Sequence, residues 1–92
     1  MKYEIKFTNQ FKKDLKVAKK QGKDIEKLFE IIEKLANQEP LASKYHDHGL
    51  TGKYKGCREC HIDPDWLLIY EIIEDIMVLL LYRVGNHSEL FK

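Results

Sequence analysis

The stretch His61–Tyr70, HIDPDWLLIY, decides the fold of this chain. Trp66, Leu67, Leu68, Ile69 and Tyr70 form an unbroken apolar run that reads as a buried strand. Immediately before it, His61, Asp63 and Asp65 crowd around Pro64, which marks a tight turn. An apolar strand fed by an acidic turn is a rigid mount for polar chemistry at the rim of a sheet.

Moving C-terminally, Glu74-Asp75 predicts a second turn after a strand over Trp66–Ile72. Ile76–Arg83 is apolar on both faces and predicts a central strand, which Gly85 breaks before the tail NHSELFK. Moving N-terminally, the chain reads as extended from Tyr54, with Gly56 as a bulge. Residues 40–53, PLASKYHDHGLTGK, have no steady period and read as a loop rich in titratable groups. Ahead of them, Ile25, Leu28, Phe29, Ile32 and Leu35 make one apolar helical stripe, capped by Asp24 and ended at or before Glu39 by Pro40. Phe11, Leu15 and Ala18 make another, capped by Thr8 or Asn9 and closed by Gly22. Tyr3, Ile5 and Phe7 alternate with Lys2, Glu4 and Lys6, as in a half-buried strand.

The order β-α-α-β-β-β predicts a single α+β domain over residues 1–92. Its expected form is a mostly antiparallel four-stranded sheet with the helical hairpin on one face. The other face, or its rim, is left for function. The first strand is expected at an edge or beside the last strand.

Composition sets the bounds. The 92 residues are 43% hydrophobic and 34% charged, which is globular composition. A chain of this length buries roughly two thirds of its unfolded surface and holds one core. The net charge of +1 hides a gradient. Residues 1–34 carry ten lysines against six acids, and residues 35–92 carry six basic groups against nine acidic ones. That slope could draw a polyanion or an acidic protein to the N-terminal part, although solvated helix faces are the simpler reading. MKYEIKFTNQ has no apolar signal core, and the longest apolar run, Ile76–Tyr82, is far too short for a bilayer. A cytoplasmic location with reduced cysteines is expected.

Turn positions bring the polar groups together. A turn at Asp63–Asp65 sets His61 opposite Trp66, and a turn at Glu74-Asp75 sets Trp66 opposite Arg83. His61, Asp65 and Arg83 then share one end of three strands, with His87 overhanging it. Singly, an Asp before a strand is a turn former and a lone His is an ordinary surface group. Together, imidazoles, a carboxylate and a guanidinium are the parts needed to move protons around a phosphate.

Taken in order, DHGL (Asp47–Leu50), GKYKG (Gly52–Gly56), CRECH (Cys57–His61), DPDWLLIY and RVGNHSELF (Arg83–Phe91), with FKKDLKVAKK and KDIEKL before them, resemble the YafQ-type branch of the RelE/ParE toxin superfamily. The resemblance covers essentially the whole chain. It implies a toxin of a type II toxin–antitoxin pair, with a RelE-like fold, that cuts mRNA in the ribosomal decoding site. By resemblance the catalytic set is His48, His61, Asp65 and His87, with Phe91 stacking on a base and Arg83 on phosphate. Asp65 or His48 is expected as base and His87 as acid, with His61 and Arg83 holding the charge of the transition state. No cofactor or metal is expected. The expected partners are a cognate antitoxin, in a complex of several chains, and the ribosome with its mRNA, but no membrane. Docking on rRNA would use local patches: the lysines of the first helix, or Lys44, Lys53 and Lys55 of the loop. Two alternatives belong to other classes: a ParE-like toxin that binds a topoisomerase, and an inactive member that binds only its antitoxin.

Cys57-Arg58-Glu59-Cys60-His61 also spells the C-x-x-C-H pattern of c-type haem attachment. On a strand, residues three apart point to opposite faces, so the two thiols would not meet one porphyrin, one zinc ion or each other. Two small semi-apolar strand residues are the simpler reading.

Overall fold

A computed structural model describes residues 1–91. The first helix, α1 (Asn9–Lys20), starts where the Thr8 hydroxyl accepts the Phe11 N–H at 2.9 Å. It ends in a Schellman turn: Lys23 N–H reaches Ala18 O at 3.0 Å and Gly22 N–H reaches Lys19 O at 3.1 Å. That turn needs the φ of +73° that Gly22 adopts without strain. Asp24 caps α2 (Ile25–Ala36) by accepting the Lys27 N–H. Here the expected stripe is corrected at one position. Ile31 is buried, whereas Phe29 is 38% exposed on the flank. The helix stops three residues earlier than Pro40 requires, because Gln38 takes a left-handed φ of 62° and closes a second Schellman turn without glycine.

The strands are β1 (Glu4–Phe7), β2 (His48–Gly49), β3 (Arg58–Asp63), β4 (Trp66–Ile73) and β5 (Val78–Gly85). They form one sheet in the order β1-β5-β4-β3-β2, with β1 parallel to β5 and every other pair antiparallel. The α+β class is as expected, and both placements considered for the first strand coincide: β1 is an edge strand beside the last one. The strand count is five rather than four, because β2 lies inside the stretch read as loop. Two residues are too few to show an alternation.

β4 separates two apolar layers. Trp66, Leu68 and Tyr70 join Cys60, Ile62, Leu79 and Leu81 under the helices. Leu67 and Ile69 face the other way, beneath Tyr54, Cys57 and Leu90. The face expected to be free is therefore partly roofed, by the turn at Gly52–Tyr54 and by a short C-terminal helix, α3 (His87–Leu90). Asn86 and Glu89 close a reciprocal capping box on α3. Gly85 lets it fold back tightly, since a Cβ there would meet Glu89 at 3.0 Å. Cys57 precedes β3 rather than lying on it, and Cys57 and Cys60 are buried in different layers.

The register differs from the turn arithmetic. His61 pairs with Leu67, and Asp63 with Trp66, across a bulge at Ile62. Arg83 pairs with Ile69, three positions further into the sheet than expected. Two causes add. The second turn is a 3-10 turn, Glu74–Ile76, followed by Met77 in the left-handed region, so Ile76 belongs to the turn and not to the strand. A further bulge falls between Ile69 and Tyr70. Because β1 ends at Phe7, the outer edge of β5 is open beyond Leu81, and Asp14 of α1 fills it. The Asp14 carboxylate accepts the Val84 N–H at 3.2 Å and two guanidinium nitrogens of Arg83 at 2.9 and 3.0 Å. Among the described residues no helix is long and apolar enough to cross a membrane.

Candidate active site

The shifted register carries Arg83 off the rim but brings Asp65 and His87 into contact. With Leu67 opposite Gly85, the two residues beyond each strand end face one another. The Asp65 carboxylate accepts the His87 backbone N–H at 3.1 Å and lies 2.9 Å from His87 Nδ1. These bonds hold the Asp65 carboxyl below the usual carboxylate range. The His87 side chain is the main cause, followed by its backbone N–H. An ionised carboxylate can only accept, so Nδ1 carries the proton and Nε2 is the free atom of the ring.

His61 lies at the centre of the imidazole cluster. Its ring centroid is 5.8 Å from His87, 6.3 Å from His48 and 5.3 Å from His46. His48 comes from β2 on one side of β3, and His87 follows β5 on the other, so the two flank His61 from opposite directions. His48 Nδ1 is 2.6 Å from the His46 carbonyl, which again only accepts. In the neutral ring, His48 Nε2 is therefore left without a proton. Phe91 is 42% exposed, 6.0 Å from the His87 ring and edge-on to Tyr54 at 5.5 Å.

The other expected residues lie apart from this cluster. Arg83 is committed to Asp14 through two nitrogens, and that pairing raises its already high pKa. Its guanidinium also faces Tyr54, whose ring is edge-on to Phe91. Lys53 lies over the Tyr54 ring at 5.3 Å, and Lys55 is exposed on the same turn. Asp63, released by the bulge at Ile62, turns to α2 and pairs with Lys27 at 2.7 Å. The lysines of α1 are all solvent-exposed.

Two residues were not singled out by sequence reasoning. Glu59 is 4% exposed, and its carboxylate meets His61 Nε2 at 3.0 Å. The signal existed: residues two apart on a strand share a face, so Glu59 had to lie beside His61. Asp47 anchors the loop by accepting from Tyr70 Oη at 2.6 Å and Arg58 Nε at 3.0 Å. It thereby holds the His46–His48 segment against the sheet. Glu59, His61 and His87 each offer a donor atom within 4.8 Å of the others, a spacing that could hold a metal ion.

Comparison with known proteins places the chain in a family. The profile of the family described as "Bacterial toxin of type II toxin-antitoxin system, YafQ" matches residues 3–92. The mRNA interferase toxin YafQ of Escherichia coli K12 is 40% identical over 89 residues, 96% of this chain and 95% of that one. The crystal structure of the E. coli DinJ-YafQ toxin–antitoxin complex superposes with a TM-score of 0.89 at 39% identity, covering 100% of both chains. A metal-bound toxin from Helicobacter pylori superposes with a TM-score of 0.91 at 46% identity, covering 97% of this chain and 99% of that one. With the family profile matching residues 3–92 and these relatives covering nearly the whole chain, this chain belongs to the YafQ family of type II toxin–antitoxin toxins.

Proposed function

We propose that the chain is an mRNA interferase: an endoribonuclease that cleaves ribosome-bound mRNA by attack of the RNA's own 2′-hydroxyl, and that a cognate antitoxin restrains it. The observation that carries this reading is the line of imidazoles His48, His61 and His87, with His61 between two rings that each have one nitrogen fixed and the other free. In-line attack needs a base and an acid on opposite sides of one phosphorus. His48 Nε2 takes the 2′-hydroxyl proton. The oxygen bonds to phosphorus as the bond to the 5′-oxygen breaks, and His87, entering the step as the imidazolium paired with the Asp65 carboxylate, gives its Nε2 proton to that leaving oxygen. The products are a 2′,3′-cyclic phosphate and a 5′-hydroxyl. Glu59 pairs with His61 Nε2 and supports its imidazolium form, whose Nδ1–H donates to a non-bridging oxygen, where charge builds.

In this scheme Asp65 serves as the orienter of His87 rather than as the base, since its Oδ1 accepts both the backbone N–H and Nδ1–H of His87. Phe91, exposed beside His87, stacks on a base and fixes the linkage. Arg83 would reach phosphate with the side of its guanidinium that Asp14 leaves. Lys53, Lys55 and the α1 lysines supply the positive surface for rRNA. The protein acts in the cytoplasm, where ribosomes are.

The test is cleavage of mRNA on programmed ribosomes, with cut sites mapped for wild type, His87→Ala and His48→Ala. Wild type should cut, and each variant should lose at least about a hundredfold in rate, as loss of a positioned acid or base does. Equal cleavage by all three would remove both rings from the mechanism. No cleavage by wild type on any codon would reject the enzymatic reading.

A further inference from the structure

Beside His61 the molecule has an open cleft of about 550 Å³, within the ~300–1,000 Å³ range of small-molecule sites. It opens along the outer edge of β3, past the point where β2 ends, since β2 pairs only with Arg58 and Glu59. Ile62 and Pro64 give it an apolar floor, Tyr45 an aromatic wall, and His46 and His61 the side nearest the cluster.

We propose that this cleft is the subsite for the nucleotide on the 5′ side of the cut, the one whose 2′-hydroxyl attacks. The inference rests on the nuclease reading above and adds a substrate position to it. Three observations carry it. First, the cleft is continuous with the catalytic line through His61 and lies on the His48 flank, where the 2′-hydroxyl must give up its proton. Second, its chemistry fits a nucleotide. Tyr45 offers a stacking face, and Lys44 Nζ stands 5.1 Å from that ring's centroid as a cation for the phosphate upstream. Lys27 also lines the cleft but is paired with Asp63, so among the described residues Lys44 is the cleft's lysine without a carboxylate partner. Third, the backbone is held in an uncommon shape to build this wall. His46 has φ 49° and ψ 45°, the left-handed region that non-glycine residues seldom adopt. That twist aims its carbonyl at His48 and its ring at His61. Strain held at one residue is a mark of a functional constraint.

The deciding experiment is single-turnover cleavage on ribosomes programmed with mRNAs carrying each of the four bases 5′ to the cut. Wild type is compared with Tyr45→Ala, Tyr45→Phe and Lys44→Ala. Tyr45→Ala should raise the half-saturating toxin concentration about tenfold and flatten the preference among the four bases, leaving the saturated rate within a few-fold. Tyr45→Phe keeps the stacking face and should keep the preference. Lys44→Ala should weaken binding equally for all four. Tyr45 is half-buried, so thermal melts establish that Tyr45→Ala is folded; Lys44→Ala, at an exposed position, tests the same cleft without that concern. Wild-type half-saturation and base preference in both Tyr45→Ala and Lys44→Ala would overturn the subsite while leaving the nuclease intact. So would a changed preference only 3′ to the cut. Absence of cleavage by wild type would overturn the nuclease reading, and the subsite with it.

Discussion

Glu59→Gln isolates one atom's charge at the centre of the cluster. Glu59 is almost fully buried, and its carboxylate lies 3.0 Å from His61 Nε2. Gln keeps the shape and an accepting oxygen, so the sheet is undisturbed. What is lost is the negative charge that supports a cationic His61 when the phosphate linkage becomes most negative. A hydrogen bond to a charged group contributes about 1.5–3 kcal/mol. If that support is realised in the transition state, the rate falls by roughly 10- to 150-fold, at ~1.4 kcal/mol per decade. Stability should move little or rise, because a neutral amide costs less to bury than a carboxylate. The assay is single-turnover cleavage on programmed ribosomes between pH 5.5 and 8.5 (as order-of-magnitude limits, about one unit beyond the ordinary His pKa of ~6.5 and upward), beside a thermal melt. A wild-type rate throughout that range, in a protein that melts like wild type, would refute the role given to Glu59.

Further predictions follow from other contacts. Asp14→Ala leaves Arg83 and the Val84 N–H without their partner at a site where Asp14 is 9% exposed, and should cost about 2–4 kcal/mol in urea unfolding. Asp65, whose pKa is depressed, favours the folded rim above the ordinary Asp pKa of ~3.9 and loses that contribution as pH falls through its lower folded value. NMR titration should therefore show the His87 amide shifting below that ordinary value, and not shifting in Asp65→Asn. Burial pushes the Cys60 thiol up to about 12 and raises Cys57 as well, so neither should react with a thiol reagent until the chain is unfolded. The donor set Glu59, His61 and His87 predicts that added zinc or copper inhibits cleavage, that a chelator restores it, and that His87→Ala weakens ion binding measured directly by calorimetry.

Much of this architecture is legible in the residues because local signals agreed. Thr8, Gly22 and Asp24 mark helix ends by side-chain or backbone chemistry confined to a few neighbours. The unbroken run after Pro64 marks a strand covered on both faces, and β4 is buried on both. What escaped was set by backbone choices that carry no residue signature. Met77, His46 and Gln38 all adopt left-handed conformations that a sequence reader assigns to glycine or asparagine. Met77 lengthened the turn and, with the bulge at Ile69/Tyr70, moved Arg83 inward to Asp14. The same slip made the contact between Asp65 and His87, because His87 follows the strand and moved with it to the position opposite Asp65. Glu59 was legible by alternation but was hidden inside a cysteine motif that drew the eye to its neighbours.

The central claim is that the imidazole line activates the RNA's own 2′-hydroxyl. The most direct measurement is cleavage of an mRNA with one 2′-deoxy residue placed 5′ to a mapped cut, on ribosomes, with product ends identified. The account predicts no cut at the substituted linkage, and a cyclic phosphate with a 5′-hydroxyl wherever the natural RNA is cut. Cleavage at the deoxy position, or a 5′-phosphate on the downstream product, would contradict it.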